Sequence, residues 1–155
     1  MKTKLVCFDT AILDLTDQLQ DPVDVLFGVQ LGGGTDINQA VAYCEDKIEA
    51  PSKAHLVLIT DLYEGGNAKE LLSRVARLIG LGVNVIILLA LSDQGKPFYD
   101  PTLSAKMAAL GVPVFACTPD QFPDLMAAAL RRDDIHAWAA TEDIKVISEE
   151  AETTA

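Results

Sequence analysis

The sequence is poor in the residues that carry most nucleophilic and redox chemistry. Its 155 residues hold two histidines, His55 and His136, and three cysteines, Cys7, Cys44 and Cys117. The cysteines are odd in number, far apart and outside any Cys-x-x-Cys, which excludes a disulfide framework and a zinc site. Each lies in an apolar stretch and reads as a buried thiol acting as a small hydrophobe. There is no Gly-x-Ser-x-Gly elbow, and neither histidine has an evident Ser or Cys partner. Positive charge is also scarce: 12 Lys+Arg face 23 Asp+Glu, a formal net charge of −11 at pH 7. An acidic surface repels phosphate backbones and anionic headgroups, so nucleic acid and membrane surfaces are poor partners. Cations, or a basic patch on another protein, are better ones. Long apolar runs are missing too. The longest, Val85 to Leu91, is far too short to span a bilayer. The start, MKTKLVCFDT, has two lysines but no sustained apolar run before acidic residues arrive, so it is not a signal peptide. A reducing cytoplasm is the expected location.

What is present is a globular composition, with 50% hydrophobic residues. A chain of this length reads as one domain that buries roughly 70% of its unfolded surface. Strands are expected near 4–8, 54–60, 83–91 and 112–116, with 11–15 antiparallel at one edge. Helices are expected near 37–50, 68–81, 102–110 and 120–131, with a short one opened by Asp21-Pro22 and ending near Gly28. His55 to Thr60 and Val83 to Leu91 are apolar runs without alternation, the mark of parallel strands buried on both faces. Pro113 places 112–116 at an edge or its residue at a strand start. Ile37, Ala40, Val41, Cys44 and Ile48 fall on one helical face. Strands alternating with amphipathic helices predict an α/β fold, a doubly wound, mostly parallel sheet flanked by helices. Residues 1–132 form this domain. Residues 133–155 are an acidic tail, from which Ile135, Trp138 and Ile144 to Ile147 dock.

Polar residues close the strands: Asp9-Thr10, Thr60-Asp61, Ser92-Asp93 and Thr118 to Asp120. In an open α/β sheet that edge is where sites are built. The Gly32-Gly33-Gly34-Thr35-Asp36 loop lacks the Lys-[Ser/Thr] of a P-loop, and Ile37 breaks Gly-x-Gly-x-x-Gly. Hydroxyl and carboxylate oxygens suit a hard divalent cation such as Mg²⁺. Thr35 offers a hydroxyl and Asp61 a carboxylate. The plainer alternative is that Thr35 and Asp36 cap a helix and Asp61 ends a strand. Glu64 reads as a solvated loop carboxylate that could also approach a metal or a basic partner residue. Asp93 and Asp100 read as loop residues, and Phe98-Tyr99 as a pair packing its loop down.

Phe8-Asp9-Thr10, Gly33-Gly34-Thr35-Asp36-Ile37 and Leu58-Ile59-Thr60-Asp61, in that order, resemble a von Willebrand factor A (VWA) domain. The wording GVQLGGGTDINQA, LITDLYEGG, LLALSD and ACTPDQFPDLMAAAL resembles the CoxE-like bacterial branch, from about Lys4 to Leu130. The resemblance implies a metal-ion-dependent adhesion site for Mg²⁺ or Mn²⁺, with Thr35 as one oxygen ligand and Asp61 as another, direct or through water. The family's remaining ligands come from an Asp-x-Ser-x-Ser motif closing a first strand, and this sequence has no such motif. It begins where the family's second strand begins, so the fold is expected to be N-terminally truncated. The missing strand is the family's central one, between its second and fourth. Those two strands then pair directly or leave a slot open, and three explanations stand side by side: a fragment of a longer protein, a trimmed VWA-like sheet with the metal site lost, or a sheet that receives the missing strand from another chain. The implied function is a non-enzymatic protein-interaction module working with a MoxR-type AAA+ ATPase in protein maturation or remodelling, able to form a homo-oligomer through the incomplete sheet. The alternative is a small metal-assisted hydrolase or phosphoryl-transfer domain on the same acidic rim, for which no paired nucleophile and base is evident.

Overall fold

The two long apolar runs pair as parallel strands in a computed structural model of the chain, which describes residues 3–8, 12–14, 16–18, 35–89, 99–116, 124, 127, 128, 131, 145 and 146. The chain divides into two units, one within Met1–Ile48 and Glu64–Arg74, the other within Glu49–Tyr63 and Val75–Ala155.

The second unit holds a four-stranded sheet of order β3-β4-β5-β6. Strand β3 (His55–Thr60) runs parallel to β4 (Asn84–Leu89), in register from His55↔Asn84 to Thr60↔Leu89. Strand β4 is parallel to β5 (Val114–Ala116), and β6 (Lys145–Val146) adds antiparallel beyond β5. The stretch 112–116 is therefore not an edge, and Pro113 stands at the strand start, its carbonyl accepting the Ile87 amide at 3.0 Å.

Burial on both faces holds for β4, where Val85 to Leu89 are all buried. It fails for β3. Leu88 is 3% exposed, yet its register partner Ile59 on the same face is 59% exposed. The cause is position. Among the described residues β3 pairs with β4 alone, so nothing in that sheet shields its far side.

Helix α3 (Pro101–Ala109) packs on β5 and buries Leu103, Ala105 and Met107. It starts at Pro101 because Asp100 caps it and proline suits the first helical position. Helix α2 (Ala68–Gly80) buries Leu71, Val75 and Leu78, a helical stripe. Both helices close in the same way. Gly82 (φ +98°) and Gly111 (φ +91°) donate to Ile79 and Ala108, and Val83 and Val112 donate to Leu78 and Met107. This is the Schellman pattern, whose left-handed residue favours glycine.

In the first unit, β1 (Val6–Phe8) and β2 (Ile12–Asp14) form an antiparallel two-stranded sheet of their own. The expected parallel strand at 4–8 is thus an antiparallel hairpin partner, and no ladder joins it to β3 among the described residues. Helix α1 (Ile37–Asp46) packs on β1 and buries Ile37, Ala40 and Val41. It stops short of the expected 50, because Lys47 and Ile48 donate to Cys44 and Glu45 in a tightened last turn. Pro51 then holds Ala50 in extended backbone (φ −128°, ψ 91°). Tyr43 of α1 donates to Asp14 of β2 at 2.6 Å. Arg74 of α2 donates to Glu45 at 2.8 Å and to Asn38 at 3.1 Å, joining the two helices.

Of the helix expected over 120–131, Asp124, Ala127 and Ala128 are helical. Asp9, Thr10, the short helix after Asp21, Asp93, Phe98, Cys117, Asp120, His136 and Trp138 lie outside the described residues.

Candidate functional site

The polar end of β3 is a hydrogen-bonded corner. Thr60 Oγ1 accepts the Leu62 amide at 3.1 Å and Asp61 Oδ1 accepts the Tyr63 amide at 3.0 Å. These two short side chains turn the chain sharply, and Leu62 between them takes φ 63° while fully buried. The Asp61 carbonyl accepts the Asp100 amide at 2.9 Å, and Tyr63 donates its hydroxyl to the Tyr99 carbonyl at 3.1 Å. Asp100 in turn takes the Thr102 and Leu103 amides on Oδ1, at 2.9 and 3.1 Å. Asp100 is therefore the cap of α3 rather than only a turn residue. Asp61 Oδ2 has no hydrogen-bond partner among the described residues.

Thr35 lies in the first unit, just before α1. The Asp36 carboxylate accepts the Gln39 amide at 2.9 Å, the cap expected of it. The Thr35 hydroxyl has no partner among the described residues. Glu64 is not a solvated loop carboxylate. It is half-buried, with Oε1 accepting the Ile37 and Gly66 amides at 3.0 and 2.9 Å and Oε2 accepting the Asn38 amide at 2.7 Å. Gly65 donates to the Thr35 carbonyl at 2.8 Å. The Gly65 and Thr35 backbones lie so close that a Cβ on Gly65 would sit 2.7 Å from that carbonyl oxygen, and a Cβ on Gly66 would sit 2.9 Å from the Asp36 side-chain Oδ1.

Most acidic groups near these positions are spent on backbone amides. Asp36, Glu64 and Asp100 satisfy helix starts. Among the described residues the Thr35 hydroxyl and one carboxylate oxygen each of Asp36, Asp61 and Asp100 accept no hydrogen bond; Thr35 and Asp36 lie in the first unit, Asp61 and Asp100 in the second. A hydroxyl such as that of Thr35 and a carboxylate such as that of Asp61 are each, in kind, oxygen donors suited to a hard divalent cation, of which Mg²⁺ takes roughly six. Among the described residues, no group of three or more His, Cys, Asp or Glu is placed to hold a metal ion.

His55 faces Asn84 at 2.9 Å (Nδ1 to Nδ2) at the opposite end of β3 from Asp61, about 20 Å away at the strand rise of 3.3 Å per residue. Cys7 and Cys44 are half-buried rather than fully buried, and burial pushes both thiols up, away from the reactive thiolate.

A parallel β3-β4-β5 sheet with flanking helices, a Thr-Asp strand end and a Gly-Thr-Asp entry to a helix define a VWA-type α/β domain. The chain matches the family of VWA domain containing CoxE-like proteins over residues 1–126, and it belongs to that family. It is 38% identical over 131 residues to the uncharacterized protein YehP of Escherichia coli (strain K12). That similarity covers 84% of this chain and 35% of YehP, so the chain spans little more than a third of this relative. No solved structure matches. VWA domains mediate protein interactions and are typically non-catalytic. Among the described residues no helix is long and apolar enough to cross a membrane.

Proposed function

We propose that the chain is a non-enzymatic interaction module of the VWA type that receives an extended segment of a partner along the edge of β3 that pairs with no strand among the described residues. The observation that carries this reading is the edge itself. The Asn84 amide donates to the Ala54 carbonyl at 3.0 Å, which sets the alternation along the strand. Leu56, Leu58 and Thr60 turn their backbone groups to β4, and Val57 and Ile59 turn theirs outward. The strand carries no proline and no Lys, Arg, Asp or Glu to blunt that edge, and Ile59 adds an exposed apolar side chain. A strand laid there gains main-chain hydrogen bonds and an apolar contact at once.

A MoxR-type AAA+ ATPase is the partner the family resemblance suggests, in maturation or remodelling of other proteins. Thr35 and Asp61 are the oxygen donors this chain offers to Mg²⁺ or Mn²⁺. When bound, such an ion supplies a positive acceptor for a partner carboxylate. A second copy of the chain can occupy the same β3 edge, giving a homo-oligomer. Sedimentation of the chain with a purified MoxR-type ATPase from the same genome, with and without Mg²⁺, tests the reading. Co-sedimentation is expected for the natural sequence and its loss for Ile59→Lys. Equal binding by the variant, or Mg²⁺-dependent phosphatase activity of the chain alone, overturns it.

A further inference from the structure

The loop Glu64-Gly65-Gly66 is joined to Thr35 and to the first turn of α1 more closely than turn formation requires. The first amides of any helix lack intrahelical acceptors. Here one carboxylate from 27 residues away takes two of them, Ile37 and Asn38. Asp36 takes the third, Gln39. Glu64 also turns back on the Gly66 amide, so three amides converge on its two oxygens. Its negative charge is well placed at a helix N-terminus. Gly65 then grips the Thr35 carbonyl, at an approach where a Cβ would sit 2.7 Å from that oxygen, while a Cβ on Gly66 would meet the Asp36 carboxylate.

We propose that Glu64-Gly65-Gly66 is a latch that sets the position of Thr35, with Glu64 a positioning residue and not itself a cation ligand. The proposal rests on the reading of Thr35 as an oxygen donor. Both Glu64 oxygens are committed, and moving them to a cation would strand three amides. What the latch controls is the backbone on either side of Thr35, and through it the placement of the hydroxyl. Glu64→Gln replaces an acceptor by an NH₂ group that cannot accept from an amide. Gly65→Ala breaks the grip on Thr35 without altering charge.

Mn²⁺ titrated against the full chain and followed by electron paramagnetic resonance tests this. Glu64→Gln and Gly65→Ala are each expected to weaken Mn²⁺ binding about tenfold, the usual effect of losing a group that orients a ligand. Glu49→Gln, which removes an exposed carboxylate outside the latch, is expected to leave binding unchanged. In the Thr35→Ala background, Glu64→Gln is expected to add nothing, a non-additivity that a general loss of stability does not produce. If Thr35→Ala weakens binding while Glu64→Gln and Gly65→Ala do not, the latch is overturned and the donor reading stands. If Thr35→Ala has no effect, the donor reading fails and this positioning role fails with it. Amide exchange gives an independent readout that needs no metal. The Ile37 and Asn38 amides are expected to lose protection in Glu64→Gln, and unchanged protection also overturns the latch. Glu64→Asp, which keeps the charge on a shorter arm, covers the case in which Glu64→Gln fails to fold.

Discussion

The main-chain carbonyl of Asp61 accepts the amide of Asp100 at 2.9 Å, so the end of β3 and the start of α3 form one corner. The Asp100 side chain completes it by taking the Thr102 and Leu103 amides. Asp100→Ala keeps the main-chain bond and loses the cap, and is expected to cost about 1 kcal/mol. Asp100→Asn, which retains an acceptor, should cost less. Urea unfolding of the three proteins checks this as a shift of midpoint at constant slope. Equal stability of the Ala and Asn variants would remove the capping role.

Asp14 makes stability depend on pH at the acid end. Its carboxyl is lowered to about 2, first by the Thr16 hydroxyl, then by the Tyr43 hydroxyl and the Thr16 amide. A folded value below the unfolded one, about 3.9, means that the ionised form favours the fold. The contribution is full above the unfolded value and is lost as pH falls through the folded one. The gap in stability between the natural chain and Asp14→Asn should therefore shrink as pH drops from 5 to 2. Circular dichroism of urea unfolding at several pH values measures it, and a gap independent of pH contradicts the assignment.

Which parts of this were legible in the sequence follows from the range of the forces. The closures of α2 and α3 at Gly82 and Gly111 are locally encoded, because a left-handed closing residue is a local requirement that glycine meets. Strand β4 was legible as a run buried on both faces. Strand β3 has the same kind of run, yet its exposure depends on having one neighbour instead of two, which no local pattern encodes. Asp100-Pro101 carries a local helix-opening signature, a capping carboxylate followed by a proline at the first helical position, so the start of α3 at Pro101 has a sequence signal. Glu64 had none, since a cap supplied from 27 residues away leaves no local spacing to find. Thr35 and Asp61 were legible as polar strand-end and loop residues. Their division of labour was not, because an Asx turn uses one carboxylate oxygen of Asp61 and leaves the other.

Leu62 combines a left-handed backbone with complete burial. Removing its side chain costs about 2–5 kcal/mol in either small variant. Alanine also keeps the left-handed penalty, about 1–2 kcal/mol, which glycine escapes. Glycine gives part of that back through its more flexible unfolded chain, about 0.4–1 kcal/mol. Leu62→Gly is therefore expected to be more stable than Leu62→Ala by about 0.5–1 kcal/mol, against the usual order. Paired thermal and urea unfolding of the two variants decides it, and the ordinary order would show that the turn relaxes around alanine.

Arg74 is the hub between α1 and α2, and its three contacts are unequal. Nη1 meets Glu45 at 2.8 Å between side chains 19% and 23% exposed, while Nη2 meets Glu70 at 3.2 Å, where Glu70 is 54% exposed. Exposed pairs four residues apart on a helix contribute about 0.3–0.5 kcal/mol, so Glu70→Ala should be nearly silent. Glu45→Ala leaves a half-buried guanidinium short of a partner and should cost about 1–2 kcal/mol. Arg74→Lys should resemble Arg74→Ala, because an ammonium cannot reproduce the guanidinium fork that spans Asn38, Glu45 and Glu70. Asn38 links this hub to the α1 entry: its side chain accepts from Arg74 and its amide donates to Glu64. Loss of Arg74 should therefore raise exchange of the Asn38 amide, and Arg74→Ala should combine with Glu64→Gln less than additively. Hydrogen exchange on the single and double variants reads this coupling directly. Strict additivity would mean that Arg74 and Glu64 hold α1 independently.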